Sequence, residues 1–238
     1  MSRHAEAKSA SAKLFRKARR AIKKSTWQKF VYAWCWKHCS ISKKTILFES
    51  FHGKTISDSP LRVLLELKKT GEISHYKVYF ATNGSNNHTQ LIQDMGLKIK
   101  LVGISSLQYA KVLATAEYLL NNSSFPSYFI RRNHQVYMQT WHGTPLKTLG
   151  KQMRLGIESM YNVQHNFLQA SYITFPNNFT REVIMRDYNL EKLYTGKVIM
   201  IGYPRNDVFP RGTDAHLLHQ QQSIERRQIG RASCRERV

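Results

Sequence analysis

The sequence predicts an α/β protein with a mostly parallel β-sheet and helices on both faces of that sheet. Strand-like and helix-like patterns alternate from residue 45 to residue 201. The runs 45–48 and 198–201 are almost continuously apolar, which is typical of strands buried on both faces of a parallel sheet. Hydrophobic residues make up 42% of the 238-residue chain, enough for a substantial core.

The individual elements follow from hydrophobic periodicity, which differs between strands and helices. Strands are predicted at 45–49, 76–80, 98–102, 118–121, 135–140, 172–175 and 198–201. Helices are predicted at 60–69, 89–95, 107–116, 155–168 and 179–187. The first helix is expected to have Ser59 as its N-cap and Pro60 at its first position, and the second to end at Gly96.

Positive charge is concentrated at the start of the chain. The 37 Lys and Arg residues outnumber the 15 Asp and Glu residues by 22, and residues 1–44 contribute +12 of that excess. Apolar residues recur in this segment at helical spacing. They are Leu14, Ala18, Ile22, Trp27, Phe30, Val31 and Trp34. Residues 1–43 are therefore predicted to form a basic amphipathic helix on an anionic membrane surface, or else a solvated helix whose aromatic face packs on the rest of the protein.

Other classes of protein fit less well. No nucleic-acid partner is expected, because the basic segment carries no helix-turn-helix, zinc-finger or RNP-type signature. Cys35 and Cys39 lack a second pair of ligands, so no metal site is predicted. Together with Cys234 they are too few for a disulfide framework, which indicates a reducing compartment. No membrane-spanning run or signal-peptide core occurs, so we expect a soluble or peripheral protein.

The last ten residues, 229–238, look foreign to the protein. They can be back-translated codon by codon into the read-through of a common short-read sequencing adapter. We therefore exclude them from the prediction of fold and function, as one would an expression tag. The native protein is expected to be longer.

Three loops that follow predicted strands carry polar residues, and ligands of parallel sheets bind at such loops. The first loop holds Gly53, Lys54 and Thr55, which imitate the end of a phosphate-binding loop. Phe48 stands where that motif needs a glycine, so a P-loop is rejected. Either Lys54 and the backbone amides approach an anionic group, or Gly53 and Asp58 stabilise a turn.

The second loop places His142 directly after a strand. A histidine there is a suitable general base, since its ordinary pKa lies near neutrality. Gly143 allows a sharp turn or the close approach of a ligand, and Thr144 is expected to cap a turn begun by Pro145. Alternatively, His142 is only hydrogen-bonded in the core.

The third loop, 171–180, joins a strand to the N-terminus of a helix. Helix N-termini attract phosphate groups. Asn177 could therefore help to bind an anionic substrate, or could serve only as the N-cap of the helix.

Four segments together resemble the CDP-glycerol glycerophosphotransferase family of teichoic acid synthesis. The most specific one is TWHGTPLKTLG at 140–150, and the others are FESFHGKTISDSP at 48–60, FPNNFTREVI at 175–184 and IGYPRNDVF at 201–209. The resemblance implies a GT-B glycosyltransferase-like fold, in which two Rossmann-like domains enclose the active site. Enzymes of this family transfer glycerol phosphate from CDP-glycerol to a lipid-linked teichoic acid acceptor and release CMP.

The resemblance also implies roles for individual residues. His142 is the candidate base that activates the acceptor hydroxyl for attack on the β-phosphorus of CDP-glycerol. The residues expected to bind substrate are Gly143, Thr144, Lys147, Lys54, Asp58 and Asn177. No cofactor is expected beyond the donor substrate. The family works at the cytoplasmic face of the membrane, which suits the basic segment.

The resemblance divides the chain into four parts. These are the basic helical segment 1–43, an acceptor-side Rossmann-like domain 44–209, the start of a linker or second domain 210–228, and the adapter-like end 229–238. The C-terminal GT-B domain that would hold the donor has no counterpart, so the 238-residue chain is expected to be inactive by itself. Transfer of ribitol phosphate or a related polyol phosphate remains an alternative, and so does a non-enzymatic membrane- or acceptor-binding domain.

Overall fold

A computed structural model of the chain describes residues 25–84, 86–153 and 157–208. Its strands are β1 Ser42–Glu49, β2 Lys77–Thr82, β3 Lys100–Gly103, β4 Ala116–Asn121, β5 Val136–Gln139, β6 Tyr172–Phe175 and β7 Lys197–Met200. Its helices are α1 at residues 25–38, then α2 Asp58–Lys69, α3 Asn86–Asp94, α4 Leu107–Thr115, α5 Ile157–Gln169 and α6 Asn178–Asp187. Short 3₁₀ turns lie at Phe51–Gly53, Glu72–His75, Gly150–Gln152 and Pro204–Val208.

The strands form one parallel sheet in the order β3-β2-β1-β4-β5-β6-β7. The chain builds outward from β1 to β3, returns through α4 to β4, and then continues in the opposite direction to β7. The order therefore reverses between β1 and β4, the position beyond which ligands bind in doubly wound sheets. The predicted α/β class with a mostly parallel sheet is confirmed.

Two cores lie on opposite faces of the sheet, because successive side chains of a strand point to opposite faces. Leu47 is completely buried in the core beneath α4 and α5, and Phe48 is almost completely buried in the core beneath α2 and α3. This double burial explains why β1 reads as a continuous apolar run. Burial on both faces was also expected for the run 198–201, and that expectation is wrong. β7 is the edge strand of the described sheet, and Met200 and Ile201 are each 44% exposed.

Of two predicted helix ends, one is confirmed and the other is wrong. Gly96 has a φ of 58°, and its N–H donates to the carbonyl of Gln93 at 2.8 Å, which confirms it at the C-terminus of α3. The prediction that Ser59 caps α2 is wrong, because α2 begins at Asp58 with Ser57 as the N-cap residue. Asp58 takes a left-handed conformation, and its carboxylate accepts a hydrogen bond from the Ser59 N–H at 2.5 Å.

Helix α1 packs one side on the sheet domain and exposes another. Tyr32 is buried, and its hydroxyl donates to the carbonyl of Ile130 at 2.9 Å. Trp27, Phe30 and Trp34 are 53%, 61% and 53% exposed, so the aromatic stripe does not pack on the described part of the protein. Within the described ranges, no helix is both long and apolar enough to cross a bilayer. The predictions for residues 1–24 and 210–238 lie outside the described residues.

Candidate active site

The loops after β1, β4 and β5 meet at the point where the strand order reverses. The backbone N–H of Phe51 donates to Asn122 Oδ1 at 2.9 Å, and the N–H of His52 donates to Ser123 Oγ at 3.3 Å. On the other side, the N–H of Thr140 donates to the main-chain oxygen of the last residue of β4 at 2.9 Å. The segment after β4 therefore connects the two loops that carry the predicted functional residues.

The backbone at this edge of the sheet is strained. Phe51, His52 and Trp141 have φ values of 46°, 55° and 53°, a left-handed conformation that costs a residue with a side chain on the order of 1 kcal/mol or more. Gly53 follows with a φ of 72°, and a Cβ atom there would lie 2.6 Å from Ile104 Cγ2. Such strain persists only where the surrounding structure holds it, and it concentrates at functional sites.

His142 is held in one orientation and one tautomer. Its Nδ1 lies 2.7 Å from the carbonyl oxygen of Asn122. A carbonyl can only accept, so Nδ1 carries the hydrogen and Nε2 is the nitrogen that can take up a proton. The ring also packs against Trp141 and Phe51, with centroid distances of 4.2 Å and 5.7 Å. This arrangement suits a general base whose direction of proton uptake is fixed before substrate arrives.

Arg205 joins the segments that carry Asp58 and His142. Its Nη1 donates to Asp58 Oδ2 at 2.9 Å and to the carbonyl oxygen of His142 at 2.7 Å. The Asp58 side chain is 6% exposed and the Arg205 side chain 32%, so the ion pair is partly shielded from water. The guanidinium also lies 4.5 Å from the ring centroid of Tyr203. The motifs that contain Asp58, His142 and Arg205 are far apart in the chain, and Arg205 brings them into contact.

Glu49, at the end of β1, is a buried carboxyl beside these loops. The Tyr109 hydroxyl donates to its Oε2 at 2.6 Å, and Asn121 Nδ2 donates to its Oε1 at 3.4 Å. Burial raises the pKa of Glu49 to about 7, although the bonds from Tyr109 and Asn121 oppose that rise. Glu49 therefore changes its charge near neutral pH.

His52 is a further titratable side chain of this edge, lining a small cavity with Glu49 and interacting electrostatically with His142. Burial lowers the pKa of His52, a hydrogen bond to the main chain of Ser124 raises it, and the positive charges of Lys54 and His142 lower it further. The net shift is downward, which favours the neutral imidazole. His52 and His142 are thus close enough to influence each other electrostatically.

The predicted substrate-binding residues are spread along the carboxyl edge of the sheet. Lys54, Thr144 and Lys147 are exposed, and Gly143 is half-buried with no atom within 4 Å of a Cβ placed on it. Asn177 is exposed, and its side chain accepts a hydrogen bond from the N–H of Thr180 at 2.8 Å as the N-cap of α6. Whether these side chains bind substrate stays a prediction.

The turn that Thr144 was expected to cap is absent from the described residues. The chain from 144 to 149 forms no helical turn, and the next one lies at Gly150–Gln152. A Cβ on Gly150 would lie 2.1 Å from the carbonyl oxygen of Asp187, so the chain is drawn against the end of α6 before it turns. Among the described residues, no three His, Cys, Asp or Glu side chains converge where they could hold a metal ion.

Sequence reasoning missed several polar residues of this site. Arg205 could have been predicted as a site residue, because it lies within one of the motifs that carry the family resemblance. Glu49 and His52 also lay within a motif, but neither was singled out. Asn122, which orients His142, had no sequence signal beyond its place after a strand.

Comparison with known proteins agrees with the motifs. Residues 30–228 match the family model described as CDP-glycerol:poly(glycerophosphate) glycerophosphotransferase. The teichoic acid poly(glycerol phosphate) polymerase of Bacillus subtilis is 32% identical over 174 residues, which cover 70% of this chain and 22% of the relative. The polymerase of the same name from Staphylococcus epidermidis is 29% identical over 207 residues, 82% of this chain and 27% of the relative. The chain thus spans about a quarter of these two relatives.

Solved structures of the wall teichoic acid polymerase TagF share the fold. One matches with a TM-score of 0.64 at 26% identity, covering 83% of this chain and 48% of that one. A TagF variant soaked with CDPG matches with a TM-score of 0.68 at 25% identity, covering 89% and 53%. The chain spans about half of each TagF chain. Because the family model matches well over half of the sequence, the chain belongs to the CDP-glycerol:poly(glycerophosphate) glycerophosphotransferase family.

Proposed function

We propose that this chain contributes the acceptor-side domain of an enzyme that transfers glycerol phosphate from CDP-glycerol to a lipid-linked teichoic acid acceptor and releases CMP. The observation that carries the proposal is the fixed His142 imidazole, which lies within the most specific family motif and contacts the loops after β1 and β4, where the strand order reverses. We further propose that the sheet domain is one of the two domains of a GT-B fold, with the active site between them.

The first step would be removal of a proton from the acceptor. An alcohol is a poor nucleophile, and a positioned base accelerates its attack by roughly 10²–10⁴-fold. Because Nδ1 donates to the carbonyl of Asn122, Nε2 is the nitrogen of His142 that would accept the hydroxyl proton. The protonated ring would remain hydrogen-bonded to the same carbonyl, so proton uptake requires no rearrangement of the loop.

The transfer itself would exchange one P–O bond for another. The acceptor oxygen forms a bond to the β-phosphorus of CDP-glycerol. The bond from that phosphorus to the oxygen bridging to the CMP phosphate breaks, and CMP leaves with the electron pair. Positive charge at the carboxyl edge, from the exposed Lys54 and Lys147, would stabilise the phosphoryl oxygens.

The choice of glycerol phosphate rests on the relatives. The curated proteins that match are named as poly(glycerol phosphate) polymerases or a glycerol-phosphate transferase. We therefore favour glycerol phosphate over ribitol phosphate as the transferred group.

Release of CMP tests the proposal directly. The complete gene product, CDP-glycerol and a lipid-linked glycerol phosphate acceptor should yield CMP only when all three are present, and CDP-ribitol should yield much less. Binding of the acceptor without any CMP release would favour the non-enzymatic alternative. Faster release from CDP-ribitol would overturn the choice of glycerol.

The exposed stripe of α1 supports a proposal about location. Trp27, Phe30 and Trp34 lie on the side of the helix that does not pack on the sheet domain, and Lys29 and Lys37 are also exposed. Aromatic side chains partition into the membrane interface while lysines attract anionic headgroups. We propose peripheral binding at the cytoplasmic face through this stripe.

Cosedimentation with vesicles tests the membrane contact. The protein should bind vesicles that contain phosphatidylglycerol more strongly than vesicles of phosphatidylcholine alone. Replacement of Trp27, Phe30 and Trp34 by alanine should abolish most of that binding, because the apolar contact area is lost. Tyr161→Ala is the control, since Tyr161 is similarly exposed on α5. Equal binding by the triple variant would contradict the proposal.

A further inference from the structure

We propose that a small cavity beside Glu49 is the subsite for the terminal polyol unit of the acceptor. The cavity opens at the carboxyl ends of β1 and β4, next to the loops that hold His142. This inference rests on the proposed function and deepens it, because it assigns a place to the hydroxyl-bearing end of the acceptor.

The size of the cavity suits a short polyol. Its volume is about 140 Å³. A water molecule in the liquid occupies about 30 Å³, so the cavity has room for about four or five waters. A three-carbon polyol needs a similar space, whereas a nucleotide would need a pocket of roughly 300 Å³ or more. The cavity is therefore too small for the donor.

The lining combines hydrogen-bonding groups with an apolar wall. The polar side chains are those of Glu49, His52, Tyr109, Ser124 and Asn162, and the ring of Phe125 lies among them. Carboxylate, hydroxyl, amide and imidazole groups can accept or donate to vicinal hydroxyls, while a ring covers the carbon chain. This is the chemistry that recognises a neutral polyol.

Charge favours the polyol over a phosphate group. None of the described residues that line the cavity is a lysine or an arginine. Among the described lining residues, the group that becomes anionic near neutral pH is the Glu49 carboxyl, which would repel a phosphate. The cavity should thus accept the uncharged end of a poly(glycerol phosphate) chain and leave the phosphodiester outside.

The cavity and His142 lie against the same short segment after β4. The carbonyl of Asn122 orients the His142 ring at 2.7 Å, Ser123 Oγ accepts the His52 N–H at 3.3 Å, and Ser124 lines the cavity. Asn162 Nδ2 donates to Ser124 Oγ at 3.1 Å and so fixes the far wall. A polyol held here would present a hydroxyl at the edge occupied by His142.

Steady-state kinetics of the complete gene product test the subsite. Glu49→Gln keeps the shape and one acceptor oxygen but removes the negative charge. It should raise the KM for the acceptor by about ten-fold and leave the KM for CDP-glycerol unchanged. Glu72→Gln, at an exposed glutamate, should change neither constant. An unchanged acceptor KM in Glu49→Gln would overturn the proposal.

A filling substitution tests the subsite a second time, and a binding measurement tests it without catalysis. Ser124→Leu should raise the acceptor KM further, because its side chain occupies the cavity, provided that circular dichroism shows a folded protein. Binding of a soluble glycerol phosphate dimer can be followed by the NMR signals of the His52 ring. The wild type should bind the dimer, and Glu49→Gln should bind it about ten-fold more weakly.

These measurements separate the two proposals. If the wild type releases CMP but Glu49→Gln and Ser124→Leu keep the wild-type acceptor KM and dimer binding, the subsite is wrong and the transferase stands. If Glu49→Gln weakens dimer binding but the wild type releases no CMP with any acceptor, the subsite stands and the transferase is wrong.

Discussion

Replacement of Glu49 by glutamine should stabilise the folded protein at pH 8 and should have almost no effect at pH 4. Glu49 is 2% exposed, and burial raises the pKa of its carboxyl from 4.5 to about 7. Glutamine has nearly the same shape, and its side-chain oxygen can still accept the hydrogen bond from Tyr109. The substitution therefore removes the titration while it keeps the main contact.

The magnitude follows from linkage between protonation and folding. Because the pKa is raised in the folded state, the folded protein holds a proton that the unfolded chain has released between about pH 4.5 and pH 7. Stability from this group therefore falls as pH rises through that window, and the loss is complete above pH 7. At about 1.4 kcal/mol per pKa unit, the full effect is about 3 kcal/mol.

Urea unfolding at pH 4, 6 and 8 measures this difference. With a slope of about 1–3 kcal/mol per molar urea, Glu49→Gln should raise the midpoint at pH 8 by about 1–3 M relative to the wild type. Glu72→Gln, at an exposed position, should track the wild type at every pH. A variant that gains the same stability at all three pH values, or loses stability at pH 8, would refute the reasoning.

Two further predictions concern the loops. Gly53→Ala should lower the free energy of unfolding by about 1–3 kcal/mol, because the new Cβ meets Ile104 and the φ of 72° is strained for alanine. Gly71→Ala is the control and should lower it less, since Gly71 has a similar φ of 79° but lies in open space. Equal losses of stability in thermal unfolding would contradict this prediction. Arg205→Ala should cost about 1–2 kcal/mol because it leaves the Asp58 carboxylate without its partner. In an Asp58→Asn background that loss should shrink, and an undiminished loss would mean that the ion pair contributes nothing.

Most of the fold could be predicted because local patterns determine it. Burial on both faces of the sheet makes residues 45–48 of β1 a continuous apolar run, and a glycine ends α3, so both elements can be predicted without tertiary information. The strand order is different, since it depends on which strands pair across the sheet. The cap of α2 was misplaced because the helix begins at Asp58, whose left-handed φ of 62° and ion pair with Arg205, 147 positions away, have no local sequence signal.

The candidate site was predictable only in part, for a related reason. His142 stands out because a polar residue follows an apolar strand within a specific motif. Glu49 reads as the end of a strand, and its burial beside Tyr109 and Asn121, 60 and 72 positions away, depends on tertiary packing. Likewise, nothing local predicts that the carbonyl of Asn122 orients the His142 ring. Contacts between residues that are distant in the sequence cannot be predicted from the spacing of residues along the chain.

The role of His142 is tested most directly by His142→Asn in the complete gene product. The asparagine amide can keep the N–H that donates to Asn122, but it cannot take up a proton. The matched control is His134→Asn, since His134 is exposed before the start of β5, and asparagine tolerates its φ of 68°.

We predict that CMP release from CDP-glycerol in the presence of acceptor falls by about 10²–10⁴-fold in His142→Asn and stays at the wild-type rate in His134→Asn. A His142→Asn protein that is folded and releases CMP at the wild-type rate would contradict the assignment of His142 as the base.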